Sequence, residues 1–220
     1  MNYYAIIPAS GSGVRFKDKI PKQFIKFDGK EVIAHTLLKF QSIPAIKSIV
    51  IASQYRFFKR IISIISTYNI TKVKAIVEGG AERQNSVYNA LRYLDCRKND
   101  VVLVHDAVRP FVSPNLIKRL IAASGKNSAV IPGLKISDTV KKADFNSIVL
   151  ETVQREGLWL VQTPQAVRYD ILIKSFEKAF SDNYIGTDEA SLLEYSGFRV
   201  RIINGEKSNI KITTKEDLII

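Results

Sequence analysis

The segment `YYAIIPASGSGVRF`, residues 3–16, runs from strand-forming apolar residues straight into two glycines, Gly11 and Gly13. Its apolar run is too short for a helix and suits a strand buried on both faces of a parallel sheet. Four runs of the same kind follow: `SIVIAS`, `VKAIVE`, `DVVLVHD` and `SAVIP`. Helix-period stretches separate them. `EVIAHTLLKF` carries Ile33, Leu37 and Phe40 on one stripe, `RFFKRIISIISTY` carries Phe58, Ile61, Ile62 and Ile65, and `ERQNSVYNALRYL` carries Val87, Leu91 and Leu94. `PNLIKRLIAASG` opens with a proline in its first turn and ends at Gly125. This alternation predicts an α/β, Rossmann-like fold, a mostly parallel twisted sheet with helices on both faces.

The rhythm changes between about residues 134 and 165. `KISDTVKKAD` and `SIVLETVQRE` both alternate around a turn at 144–146, which predicts a β-hairpin inserted in the α/β chain at about 134–157. A two-stranded hairpin is marginal alone, so this arm is expected to pack against another surface, such as a second subunit. Beyond it come a helix near 168–180, a helix `TDEASLLEYSG` with Thr187 as N-cap and Gly197 past its end, and strands `RVRII` and `IKIT`. Trp159 and Phe198 read as core.

With 220 residues and 46% hydrophobic content the chain is expected to form a single domain over 1–220. No linker-like tract or solenoid-period repeat interrupts it. A lone cysteine, Cys96, excludes an internal disulfide framework and suits a reducing compartment. The N-terminus lacks a basic n-region, and no stretch reaches the roughly 20 apolar residues needed to span a bilayer. The expectation is a cytoplasmic protein without membrane contact. The formal charge of +12 raises a nucleic-acid reading, but the cations are scattered and no nucleic-acid-binding signature accompanies them, so no nucleic-acid partner is expected.

A glycine loop after a first strand points to an anion, and three familiar loops fail on inspection. A dinucleotide fingerprint needs a third glycine at Phe16 and an acidic residue where Ser53 and Gln54 stand. A P-loop needs Gly-Lys-Ser/Thr, and a nucleophile elbow needs glycine where Pro8 stands. With only His35 and His105 in the chain, triads and zinc sites are poorly supplied, and His105 reads as a packed strand-end residue. What remains is P-A-x-G-x-G-x-R followed by P-K. The glycines can bring backbone N–H groups to an anion, Arg15 can fork two phosphate oxygens, and Lys22 can act as a point charge. The loop alone fits equally a tight turn with two surface cations.

Seven segments in order, `PASGSGVRF` with `PKQF`, `EGGAERQNSV`, `VHDAVRPF`, `ETVQREGLW`, `QTPQ`, `TDEASLLE` and `NIKITTKEDL`, give the chain its resemblance. It resembles the 2-C-methyl-D-erythritol 4-phosphate cytidylyltransferases of non-mevalonate isoprenoid biosynthesis over nearly its whole length. Ribitol 5-phosphate cytidylyltransferases share several of these segments but match `TVQR` and `TDEAS` less well. A basic module that binds nucleotide or nucleic acid without catalysis is the remaining alternative.

The resemblance implies that the loop wraps the triphosphate of CTP, with Arg15 and Lys22 as catalytic cations. It places Pro8, Ala9, Ser10, Gly11, Gly13, Gly80, Ala81, Arg83 and Ser86 around CTP. Ser10 departs from the alanine common in the family, and Ala81 from a frequent acidic residue. Arg83 either shapes this region by hydrogen bonds or pairs with Glu82 or another neighbour. For the acceptor the resemblance implies Asp106, Arg109, Thr139, Arg155, Thr163, Thr187 and Lys211, with Arg155 and Lys211 on the 4-phosphate. A structural Asp106–Arg109 pair is the plain alternative for those two. Thr139 and Arg155 lie on the hairpin, which implies a homodimer in which each arm enters the partner's site. Mg²⁺ is expected mainly on the CTP phosphates, with Asp106 as an optional ligand. The chain ends at `EDLII`, short of the closing helix that the resemblance leads one to expect.

Overall fold

The computed structural model describes residues 1–11 and 20–218. Among these the chain order is β1 (Tyr3–Pro8), β2 (Lys26–Phe27), β3 (Lys30–Glu31), α1 (Val32–Gln41), β4 (Ile46–Ser53), α2 (Phe58–Thr67), β5 (Val73–Glu78), α3 (Arg83–Tyr93) and β6 (Val101–Val104). There follow α4 (Pro114–Ser124), β7 (Ala129–Lys135), β8 (Val140–Ala143), β9 (Val149–Val153), β10 (Trp159–Val161), β11 (Gln165–Arg168), α5 (Tyr169–Ser181), α6 (Glu189–Tyr195) and β12 (Arg201–Asn204).

β1 is the spine. It pairs in parallel with β4 on one side and β6 on the other, and Ala5, Ile6 and Ile7 are fully buried. Successive side chains point to opposite faces. Ala5 and Ile7 therefore join Ile49, Ile51 and Leu103 under α1, α2 and α4, where Phe40, Ile61 and Leu116 seal the layer. Tyr4 and Ile6 join Val50, Val102 and Val104 on the other face, beneath Val87 and Leu91 of α3, Phe176 of α5 and Leu193 of α6. Two apolar layers around one sheet are what short, wholly apolar strands require.

The main sheet runs β7–β11–β6–β1–β4–β5, with β12 on the other edge of β7. β11 is antiparallel to both β6 and β7 in a sheet that is otherwise mostly parallel, as expected. β10 continues β11 along the same edge of β7, but its register against β7 differs by two residues. Gln162, Thr163 and Pro164 take up that difference, with a cis Thr163–Pro164 peptide, and the side chains of Gln162 and Thr163 turn to the loops above β6 and β12.

Several expectations need correction. `IKIT` forms no strand; Ile212 is buried and its N–H reaches the Val108 carbonyl at 2.9 Å, a single tie rather than a ladder. Asp188, not Thr187, caps α6, accepting from Ser191 N–H at 2.9 Å, because the helix starts one residue later than the pattern suggested. Gly197 does end that helix in the left-handed region, at φ 81°. Trp159 is half-buried on β10, its ring lying against the backbone of Gly133, and Phe198 packs at the margin of the α3–α5–α6 layer. The hairpin β8–β9 is present with its turn at 144–148, and it stands outside the main sheet. A second hairpin, β2–β3, turns on Asp28 and Gly29, both at positive φ, as Asp-Gly turns favour.

His105, just past β6, is fully buried. Its Nε2–H donates to the Arg109 carbonyl at 3.0 Å, and its Nδ1 accepts from the Thr163 hydroxyl at 3.0 Å. Burial pushes its pKa down to about 4, against the lesser pull of Arg109 carbonyl and Asp106. The imidazole is neutral in the fold and titrates near 6.5 when unfolded. The unfolded chain thus binds the extra proton between these values, and stability is lost as pH falls from about 6.5 to about 4. Urea unfolding at pH 7.5, 6 and 5 is expected to show this loss, up to about 3 kcal/mol over the full window. A His105→Gln variant should show a flatter profile; an equal slope would remove His105 as its source.

Candidate active site

The turns at the carboxyl ends of β1, β4, β5 and β6 open on one cleft of about 480 Å³. This is where open α/β sheets bind ligands, since backbone and loop groups converge there. Its wall after β1 is Pro8, Ala9, Ser10 and Gly11; after β5 come Gly80, Ala81, Arg83 and Ser86; after β6 come Asp106, Ala107 and Val108, and Lys22 and Lys211 also line it. Gly13 and Arg15 lie outside the described residues.

Lys22 opens a 3-10 turn, Lys22–Phe24, that is anchored behind it. The buried Gln23 amide donates to the carbonyls of Ala9 at 2.9 Å and Gly11 at 3.3 Å, joining this turn to the end of β1. Phe24 is buried against Phe57, and Arg60 lies over its ring and donates to its carbonyl at 3.0 Å. On the opposite wall Gly80 N–H donates to Ser86 Oγ at 3.1 Å, and that hydroxyl donates to the Glu82 carbonyl at 3.1 Å. Ser10 is turned to β4, its hydroxyl donating to the Ala52 carbonyl at 3.1 Å, while Gln54 donates to the Ser10 carbonyl at 2.8 Å.

The charged centre is Asp106. Arg83 Nε lies 3.1 Å from Oδ1, Lys211 Nζ lies 2.8 Å from Oδ2, and Arg109 Nε stands 3.8 Å from Oδ2. Burial alone would raise this carboxyl, but the cations Arg83, Lys211 and Arg109 outweigh it and hold it well below the usual carboxylate range. Arg83 does not pair with Glu82. It forks both terminal nitrogens onto Glu189, at 2.7 and 3.1 Å, and Glu189 is buried in the first turn of α6. Burial opposes the Arg83 charge, yet Glu189 and Asp106 raise its pKa overall.

Other expected residues stand back from the cleft. Arg109 donates to the Asn209 carbonyl at 2.8 Å. Thr163 is buried beneath Asp106, accepting from its N–H at 3.2 Å. Thr187 is exposed on the approach to α6. Thr139 and Arg155 are exposed at the base of the hairpin, where Arg155 donates to the Ser137 carbonyl, and neither lines this chain's own cleft. Glu189, Gln23 and Gln54 had drawn no role from the sequence. Only the fold brings Glu189 to Arg83.

Divalent cations of the magnesium type want several oxygen donors. Among the described residues no group of three His, Cys, Asp or Glu side chains converges, and Asp106 is already shared by three cations. The described residues do not form a protein-built metal site. Cys96 offers no thiolate, since burial and the nearby Asp100 and Asp95 push its pKa up to about 12.

Ser10 and Gly79 also constrain one another. A Cβ on Gly79 would stand 1.9 Å from Ser10 Oγ and 2.7 Å from Ser10 Cβ. Gly79→Ala is expected to destabilise by about 1–3 kcal/mol, the usual range for overpacking. Adding Ser10→Gly should recover most of the loss in a thermal melt; no recovery would show that another contact sets the limit.

The comparisons with known proteins agree with one another. The family model described as IspD, 2-C-methyl-D-erythritol 4-phosphate cytidylyltransferase, matches residues 3–220. A relative of that name from Clostridioides difficile is 43% identical over 219 residues, covering 98% of this chain and 90% of its own. One from Syntrophus aciditrophicus is 41% identical, covering 98% and 92%. The crystal structure of the Francisella tularensis enzyme of the same name superposes with a TM-score of 0.87 at 40% identity, covering 100% of this chain and 97% of that one. This chain belongs to the 2-C-methyl-D-erythritol 4-phosphate cytidylyltransferase family.

Proposed function

We propose that the cleft transfers CMP from CTP to the phosphate of 2-C-methyl-D-erythritol 4-phosphate, releasing pyrophosphate, as the family's enzymes of isoprenoid biosynthesis do. The observation that carries this reading is the convergence of Lys22, Arg83, Asp106 and Lys211 with two glycine-bearing turns on one cleft, in a chain of that family. CTP takes the side formed by Pro8–Gly11 with Gly80, Ala81 and Ser86, its base near the last three and its triphosphate under Lys22 and Arg15, while Arg83 is engaged with Asp106 and Glu189. The acceptor takes the side of Asp106, Thr163 and Lys211. Lys211 holds its phosphate while the Asp106 carboxylate accepts from its hydroxyls.

An oxygen of the acceptor phosphate attacks the α-phosphorus, and the bond to the β-phosphate oxygen breaks. A phosphate monoester has its second pKa near about 6, so the nucleophile is already ionised and needs no general base. The histidines agree: His105 is buried between Thr163 and Arg109, and His35 is hydrogen-bonded to the Phe27 carbonyl and stacked on its ring. The remaining task is electrostatic, bringing two anions together and stabilising the charge that develops at phosphorus. Lys22, Arg83, Arg109 and Lys211 against three carboxylates, Glu82, Asp106 and Glu189, leave a small excess of positive charge for it. Mg²⁺, when bound with the triphosphate, would neutralise part of its charge while taking few protein ligands.

The hairpin belongs to the same proposal. Phe145 is 96% exposed at its tip, and Ile148, Val149 and Leu150 are exposed beside it. So apolar a ribbon outside the main sheet calls for a cover, and a second copy of the chain supplies one. In that homodimer Arg155 and Thr139 of each arm reach the acceptor side of the partner's cleft.

Pyrophosphate release from CTP is expected with methylerythritol phosphate and not with ribitol 5-phosphate; release with neither acceptor would overturn the reading. Arg15→Ala and Lys22→Ala should each lower kcat by about 10²–10³, with a far smaller change in CTP affinity. Mixing the inactive Arg155→Ala and Lys22→Ala proteins, once subunits have exchanged, should restore part of the activity. No recovery would place Arg155 outside the partner's site.

A further inference from the structure

Glu189 is 1% exposed, yet it is a carboxylate and its partner Arg83 borders the cleft. Buried carboxylates are rare unless paired, because leaving water is costly for a charge. Here both oxygens are satisfied by the two terminal nitrogens of Arg83, at 2.7 and 3.1 Å. Held in that fork, Arg83 reaches Asp106 with Nε, which lies 3.1 Å from Oδ1. Asp106 Oδ2 is paired with Lys211, at 2.8 Å, and Arg109 Nε stands 3.8 Å from it. An arginine freed from Glu189 would present its planar fork to Asp106, since guanidinium and carboxylate match in a two-bond geometry. That fork would draw Oδ2 away from Lys211.

The loop that carries Glu189 is itself fixed from three directions. Gln84 donates to the Tyr184 carbonyl at 3.1 Å and accepts from Gly186 N–H at 2.9 Å. Gln165 donates to Asp188 at 2.7 Å and accepts from Ala190 N–H at 2.9 Å. Asp188 and Ser191 cap the helix start. Glu189 is thus held in place by groups that do not depend on Arg83.

We infer that Glu189 is a positioning residue for the acceptor half of the site: by occupying the fork of Arg83 it keeps one oxygen of Asp106 available to Lys211 and the acceptor. The inference rests on the assignment of Asp106 and Lys211 to the acceptor. It also specifies what Glu189 does not govern. The turn on the CTP side is closed by Gly80, Ser86, Glu82 and Asn85 among themselves, with Glu82 N–H donating to Asn85 at 3.2 Å.

Glu189→Gln keeps the size of the side chain and removes the charge that holds the fork. Steady-state kinetics should show KM for the acceptor raised about tenfold and KM for CTP within about twofold of the parent. Equal rises in both KM values, or a fall in kcat alone, would overturn the inference. Glu189→Asp, which retains the charge at shorter reach, should restore part of the acceptor KM; no restoration by a folded Asp variant also overturns it. If the Gln variant does not fold, the Asp variant is compared with the parent directly, and a rise confined to the acceptor KM is required. The parent protein's own acceptor dependence tests the functional assignment separately. An inactive parent rejects that assignment, whereas an active parent with no selective effect of the variants rejects only the role of Glu189.

Discussion

The carboxylate of Asp106 gathers Arg83, Lys211 and Arg109 from three separate parts of the chain onto the end of one buried strand. Without it those cations would repel one another at close range. With it, they form an ordered cluster whose net charge stays positive. The backbone N–H of the same residue donates to the Thr163 hydroxyl, and Thr163 is tied to His105. Packing in the sheet and charge in the cleft are therefore one continuous hydrogen-bonded structure.

Such a cluster suits a reaction between two phosphates better than either a bare cationic patch or a neutral pocket would. A bare patch would be loosely arranged, since exposed lysines and arginines hold their positions weakly. A pre-formed pair pays less for order when substrate arrives. The opposite wall follows the same logic with uncharged groups, for Gln23 and Gln54 fasten backbone carbonyls at Ala9, Gly11 and Ser10 and so fix the two ends of the glycine turn's approach.

Much of the fold was legible because burial on both faces leaves a strong mark. β1, β4 and β6 are apolar almost throughout, and the helices carry clear stripes. β10 and β11 were not legible, since `WLVQTPQAVR` mixes polar and apolar residues around a break in register that only β7 defines. `IKIT` misled by alternating, although its backbone has one carbonyl to reach rather than a strand. In the site, the glycines after β1 stand out in the sequence itself, whereas the residues after β5 and β6 came from the family resemblance. Glu189 could be found from neither, because its meaning depends on Arg83, 106 residues earlier.

That separation is shared by the contacts around it: Gln84 to Gly186 spans 102 residues, Arg109 to Asn209 spans 100, and Arg83 to Glu189 spans 106. The β5–β4–β1–β6 half of the sheet, by contrast, has all its strands once β6 has been made. Emerging from a ribosome, the chain can close that half of the sheet long before the cleft has its last cation. Loop closures of this length delay folding, and the wall around Asp106 cannot be complete until Glu189 and Lys211 have been made. A nascent chain can therefore contain the turns after β1 and β5 while the residues that answer Arg83 and Asp106 are still being synthesised.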